Sequence, residues 1–226
     1  SHGGKDLRFL VRHINSLGYV VDLLSIDAKH FVPQSRERVF LICQNTEYEE
    51  VERTSNAKLK TLTTCDSRSK SVVRFIKENS DLNWVTRDLP PLPEPKLQLS
   101  DIIDTEHDSW WSSERTDYLL TQMFDRHLFW LQENVEMEEF RYATAFRRMR
   151  VRDGKKQSTA EIRYDGVAGC LRTAKGGSAR QILVRTGKGE IKARLLSTSE
   201  CSKLMGAQQF SFDGFSINDA LHCLGD

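Results

Sequence analysis

The chain of 226 residues contains no apolar run approaching the ~20 residues that a membrane span requires, and no signal-peptide pattern opens it. A membrane partner is therefore not expected, and the reading is of a cytoplasmic protein. Cysteines are few and scattered: the five stand at 43, 65, 170, 201 and 223, never as a C-x-x-C pair. That pattern excludes a disulfide framework and a structural zinc site. The six histidines lack ligand spacing, so no metal is expected. Proline is scarce, and four of the five fall within LPPLPEPK (89–96), the clearest linker in the chain. Apolar residues make up 38%, leaner than the ~45–50% of an average domain but enough for one large core or two small ones.

The net charge of +1 conceals a strong division. Residues 97–139 hold 11 acidic and 2 basic side chains, a net of −9, whereas residues 140–194 hold 15 basic and 4 acidic, a net of +11. A basic segment long enough to be a small domain is the electrostatic footprint of nucleic-acid binding, unless the two segments simply neutralise each other in the fold.

Apolar periodicity predicts the elements. Leu7, Leu10, Val11, Ile14 and Leu17 recur at helical spacing, with Gly18 at the C-cap. YVVDLLSID (19–27) and RVFLICQ (38–44) read as strands buried in a sheet covered by helices. SVVRFIKEN (71–79) reads as a helix, as do LSDII (99–103) and the long stretch 112–135, capped by Ser112 or Ser113. Residues 140–193, punctuated by Asp153-Gly154, Gly166, Gly169, Gly176-Gly177, Gly187 and Gly189, form a small twisted β-region. RLLSTSECSKLMG (194–206) returns to helix, with an N-cap at 197–199 and Gly206 at its end.

One stretch, FVPQSRERVFLI (31–42), carries polar residues in an unusual order. Pro33 biases its neighbours toward extended backbone, and extended chain sends alternate side chains to opposite faces. Gln34, Arg36 and Arg38 then share a face, as a row of planar donors suited to phosphate or a base edge. A solvated edge strand, its charges discouraging further pairing, is the competing reading.

Several segments fall into a known order. FVPQSRERVFLI resembles the Q-x-R-x-R block of cytosine-5 DNA methyltransferases. CLRTAKGGS (170–178) resembles the end of that family's target-recognition region, where a Thr-Leu pair precedes a glycine-rich loop. RLLSTSECSKLMG resembles its penultimate block, an Arg followed by E-C-x-R-L-M-G, and DALHCLGD (219–226) the start of the final one. Cys170 stands where the family usually has threonine, and Asp226 where it has asparagine.

The resemblance implies an α/β fold: the C-terminal part of a Rossmann-like methyltransferase domain (1–88), the proline-rich linker (89–96), a small, mainly β target-recognition domain (97–193), and a hinge helix returning to the catalytic domain (194–226). It implies transfer of a methyl group from S-adenosylmethionine to a cytosine rotated out of double-stranded DNA. By position, Arg38 would contact the cytosine carbonyl, Arg36 would assist at the adjacent phosphate or pocket wall, and Gln34 would order the loop. Arg172, Thr173, Lys175, Gly176, Gly177, Ser178 and Arg180 would meet DNA, and Gly225 with Asp226 would touch the cofactor. The family's catalytic cysteine follows a proline, and no Pro-Cys pair occurs here; its glycine-rich cofactor loop is missing too. Glu133-Asn134-Val135 matches the family's catalytic tripeptide in letters but lies about a hundred residues on the wrong side of the Q-x-R-x-R block. The expectation is an inactive fragment of a prokaryotic or phage enzyme, orphan or restriction-linked, that needs a missing N-terminal portion. The alternatives are the non-catalytic recognition subunit of a split enzyme, which needs a partner chain, and a generic basic interaction module.

Overall fold

The computed structural model describes residues 2–47, 52–152, 154–173 and 180–225. The chain divides into two compact units: residues 1–27 with 37–93, and residues 28–36 with 94–226. The division at 93/94 falls inside the proline-rich stretch. No helix among the described residues is long and apolar enough to cross a membrane.

In the first unit, helix α1 (Lys5–Ser16) packs on strand β1 (Tyr19–Asp27), which pairs antiparallel with β2 (Glu37–Asn45); α2 (Asn56–Thr61) and α3 (Lys70–Glu78) follow. Val11, Val21, Leu23, Leu59, Val72, Ile76 and Trp84 form the core. The opposite face of β1 buries Asp22, whose carboxylate accepts from Arg68 Nη2 at 2.7 Å and from the Arg87 amide at 3.2 Å. A carboxylate so enclosed is stable only because both oxygens are paired.

β2 departs from expectation. Its apolar side chains were to be buried, yet Val39, Phe40 and Ile42 are about half exposed. The cause is the ladder: β2 is the outer strand of a two-stranded sheet, with no further strand pairing with it among the described residues.

The second unit is built on an antiparallel sheet of β3 (Arg141–Arg152), β4 (Lys155–Arg163), β5 (Ile182–Gly187) and β6 (Glu190–Leu195), in the order β4-β3-β5-β6. Ahead of the sheet come α4 (Leu99–Ile102), α5 (Ser113–Thr121) and α6 (Asp125–Val135); α7 (Thr198–Leu204) and α8 (Ile217–Gly225) follow it. Alternation along the strands sends Ala143, Ala145, Ile182, Val184 and Ala193 to the face covered by α5 and α6, with Leu119, Met123 and Leu131. Leu183 points to the other face, into a second core with Leu99, Ile102, Leu171, Leu196, Leu204, Leu221 and Leu224.

Two helices differ from the sequence pattern. The stretch 112–135 is not continuous: Phe124 adopts extended backbone (φ −82°, ψ 151°), and the Gln122 carbonyl accepts from the Ala160 amide of β4 at 2.8 Å. A strand contact thus interrupts the helical ladder where periodicity alone gave no signal. Helix α7 starts later than position 194, because Arg194 and Leu195 belong to β6; Ser197 caps it, in a reciprocal box with Glu200. Glu133-Asn134-Val135 ends α6, a helix rather than the end of a strand.

Candidate functional site

Gln34 is fully buried and is not part of a row of presented donors. The short helical turn Ala28–His30 and Pro33 turn the backbone so that residues 33–35 run beside Ala168: the Ala168 amide donates to the Pro33 carbonyl at 2.8 Å, and the Ser35 amide to the Ala168 carbonyl at 2.9 Å. This seats the Gln34 amide between two distant segments. Its Oε1 accepts from the Leu171 amide at 2.9 Å, and its Nε2 donates to the Leu204 carbonyl at 2.8 Å, with Met205 Sδ at 3.2 Å. A buried amide satisfied at both ends fixes the segments that satisfy it.

Arg36 belongs to the same cluster. Its Nη1 donates to the Leu171 carbonyl at 2.8 Å and lies 3.5 Å from Cys170 Sγ. Leu171 is therefore held at its amide by Gln34 and at its carbonyl by Arg36, just ahead of Arg172 and Thr173. Arg172 is exposed; Thr173 and Arg180 are partly buried. Lys175, Gly176, Gly177 and Ser178 lie outside the described residues, as does Asp226. Arg38 stands in the first unit, exposed on β2 and paired in register with Ile26, its Nη1 donating to the Glu37 carbonyl at 2.9 Å.

Gly225 meets the other end of this segment. A Cβ there would fall 2.4 Å from the Thr173 amide nitrogen and 2.6 Å from the Arg172 carbonyl carbon, so only glycine lets α8 approach so closely. The adjoining cleft, lined by Leu171, Arg172, Arg180, Cys201, Leu224 and others, has about 20 Å³ of free space. That is the scale of a single water, not of a nucleoside.

A buried ion pair supports the cluster from below. Arg194 and Glu200 are both fully buried and meet fork to fork, Nη1 to Oε2 at 2.7 Å and Nη2 to Oε1 at 2.6 Å. Glu200 also accepts from the Ser197 amide at 2.7 Å and the Asp104 amide at 3.0 Å. Burial raises the Glu200 carboxyl, but the hydrogen bonds from Arg194 and the two amides outweigh it and hold the group below the usual carboxylate range. The pair ties β6 to the start of α7, whose last residue supplies the carbonyl that holds Gln34. Sequence reading missed this coupling. Its signal was an Arg and a Glu six apart, flanking a Ser N-cap.

Cys201 is not a nucleophile. Burial, then the Glu200 charge, pushes its thiol up to about 12. Alkylation by iodoacetamide near pH 8 is expected to label exposed Cys65 and Cys223 in the folded chain and Cys201 only in denaturant. Peptide mass spectrometry checks this, and labelling of Cys201 at the rate of Cys65 would contradict it.

These observations define a protein in which three blocks distant in sequence converge on one glutamine, next to a segment rich in arginine and glycine. The sequence profile of the C-5 cytosine-specific DNA methylases matches residues 1–221. The chain belongs to that family. No individually curated protein matches it at a significant level.

Proposed function

We propose that this chain is the C-terminal part of a DNA cytosine-5 methyltransferase whose complete form modifies a cytosine flipped out of double-stranded DNA. One observation carries this reading. The Q-x-R-x-R block, the end of the target-recognition segment and the penultimate block meet at a single side chain, the buried amide of Gln34. That amide has no role in a generic basic module, but it is what a base-handling site needs, since a 1 Å error in positioning is costly to chemistry.

In this reading residues 1–88 complete the catalytic domain, except that 28–36 pack in the second compact unit, 89–96 link, and 97–193 form the target-recognition region. Residues 194–226, which share their compact unit, lead back toward the catalytic portion. Gln34 and Arg36 are positioning residues that set Leu171, and with it the adjoining Arg172 and Thr173, toward DNA. Arg38 is the catalytic cation. When a thiolate adds to cytosine C6, negative charge spreads over the ring to the carbonyl oxygen, and a fixed guanidinium there lowers the barrier. The nucleophilic cysteine and most of the S-adenosylmethionine site belong to the missing front half. Phe40 and Ile42, which alternation puts on one face of β2 and which are about half exposed, fit a surface that this half covers.

Tritium transfer from labelled S-adenosylmethionine to duplex DNA tests the reading. The complete enzyme should incorporate label at cytosine, while the purified 226-residue chain binds duplex and incorporates none. Incorporation by the chain alone, or none by the complete enzyme, would contradict it.

A further inference from the structure

Only the first part of β3 belongs to the four-stranded sheet. Arg141–Ala145 pair with β5, whereas residues 146–152 pair with β4 alone. Seven extended residues, at ~3.4 Å each, carry this two-stranded ribbon roughly 20 Å past the sheet. Residues 146–161 hold six basic and two acidic side chains. The apolar core enters only the base of the ribbon, at Ala160 opposite Arg147, and includes no side chain of β3 beyond Ala145. Packing therefore does not explain the projecting residues.

Register separates the ribbon into two unlike faces. Phe146, Arg148 and Arg150 stand on one, opposite Glu161, Thr159 and Gln157. Met149 and Val151 stand on the other and are 63% and 69% exposed. Glu161 gathers the two arginines of the first face: Arg150 Nη2 lies 2.7 Å from Oε1, and Arg148 Nε 3.8 Å from Oε2. The Arg148 guanidinium also sits 4.5 Å above the Phe146 ring. Half-exposed ion pairs of this kind contribute little to stability. They do hold two planar forks side by side on a projecting ribbon.

That face is also the right one. Thr144 shares it, and its hydroxyl accepts from the Gly169 amide at 3.3 Å, so the arginines lie on the same side of the sheet as the Leu171–Thr173 segment. Arg147, on the opposite face, is turned back over Trp111 at 5.8 Å.

We infer that the β3–β4 hairpin is a second DNA-reading element, laid as a ribbon in the major groove with Arg148 and Arg150 toward the base edges; this rests on the methyltransferase reading above. The groove, ≈12 Å wide, admits a two-stranded ribbon, and an arginine fork matches the O6 and N7 acceptors of guanine. Arg150 is the base reader, Arg148 contacts the neighbouring phosphate, and Glu161 is a positioning residue that presents both.

The test uses the complete enzyme, selection from a library of random duplexes, and binding of the selected duplex across a salt series. R148A/R150A should weaken binding at least tenfold and flatten the log–log salt slope by about 0.9 for each phosphate left without its arginine. R148K/R150K should keep the slope but lose roughly 5- to 150-fold discrimination at one G·C pair, because a point charge replaces a fork. E161Q should keep affinity and lose part of that discrimination, and M149S/V151T, on the far face, should change neither. A measurement on the unaltered enzyme guards against misfolded variants: methylation of guanine N7 within the selected site should block binding. Unchanged affinity and selectivity in the arginine variants, or no N7 interference, overturns the inference alone. Wild-type enzyme that selects no duplex overturns the methyltransferase reading and this inference with it. Arginine variants that lose anionic vesicles but keep DNA would assign the arm to a membrane surface and overturn it too.

Discussion

Arg38→Ala in the complete enzyme is expected to slow the chemical step by about 10²–10³-fold, the usual cost of removing one preorganised donor to a developing oxyanion. Duplex affinity should change little. The charge it answers does not exist in the ground state, so the interaction is made only as the thiolate adds. The side chain is well placed for such a role. It stands on the outer strand of the β1–β2 ladder, where the paired backbone fixes its Cα, and it is exposed. Arg38→Lys should recover only part of the rate, because one ammonium cannot reproduce a planar pair of donors. Single-turnover methyl transfer separates this step from binding, and a rate within about twofold of wild type would mean that Arg38 is a solvated edge-strand charge.

Glu200→Ala is expected to destabilise the protein by about 3–5 kcal/mol, because it strands the Arg194 guanidinium without its partner in a fully buried site. Glu200→Gln should cost less, since it keeps shape and one acceptor. Replacing both residues, R194M/E200L, should recover much of the loss, as burying an ion pair gains little over packing apolar groups. The same pair predicts an acid limb. The Glu200 carboxyl is held below its ordinary range, so its contribution is complete at neutral pH and disappears as pH falls through the lowered folded-state value. Glu161 and Asp165, held down chiefly by hydrogen bonds from Arg150 and Arg163, and Glu190, held down chiefly by Lys192, act in the same direction. Urea unfolding from pH 7 to pH 3 should show wild type converging toward the Glu200→Gln variant. A loss below about 1 kcal/mol for Glu200→Ala at pH 7 would place the pair among the surface-like ones.

Much of this architecture is local and was therefore legible. The α1 periodicity, the β1 and β2 runs and the Ser197–Glu200 capping box each lie within a dozen residues, where period and cap chemistry decide the outcome. What stayed hidden depends on partners far along the chain. Gln34 reads as a presented donor until Leu171 and Leu204, 137 and 170 residues away, are found at its two ends. The break at Phe124 arises from a strand that passes Gln122, and β2 reads as buried because its apolar letters do not say which neighbours the ladder supplies. The hairpin was partly legible: Arg148 and Arg150 stand two apart ahead of Asp153-Gly154, and the strand period puts both on one face. The Glu161 clamp was not, since it follows from register.

Bisulfite sequencing of DNA from cells expressing the full-length gene tests the central claim most directly, that this chain is the DNA-reading and charge-stabilising end of a cytosine-5 methyltransferase. The account predicts cytosines protected from conversion at one recurring sequence, with protection lost in Arg38→Ala. Conversion of every cytosine in cells that express the intact protein would contradict it.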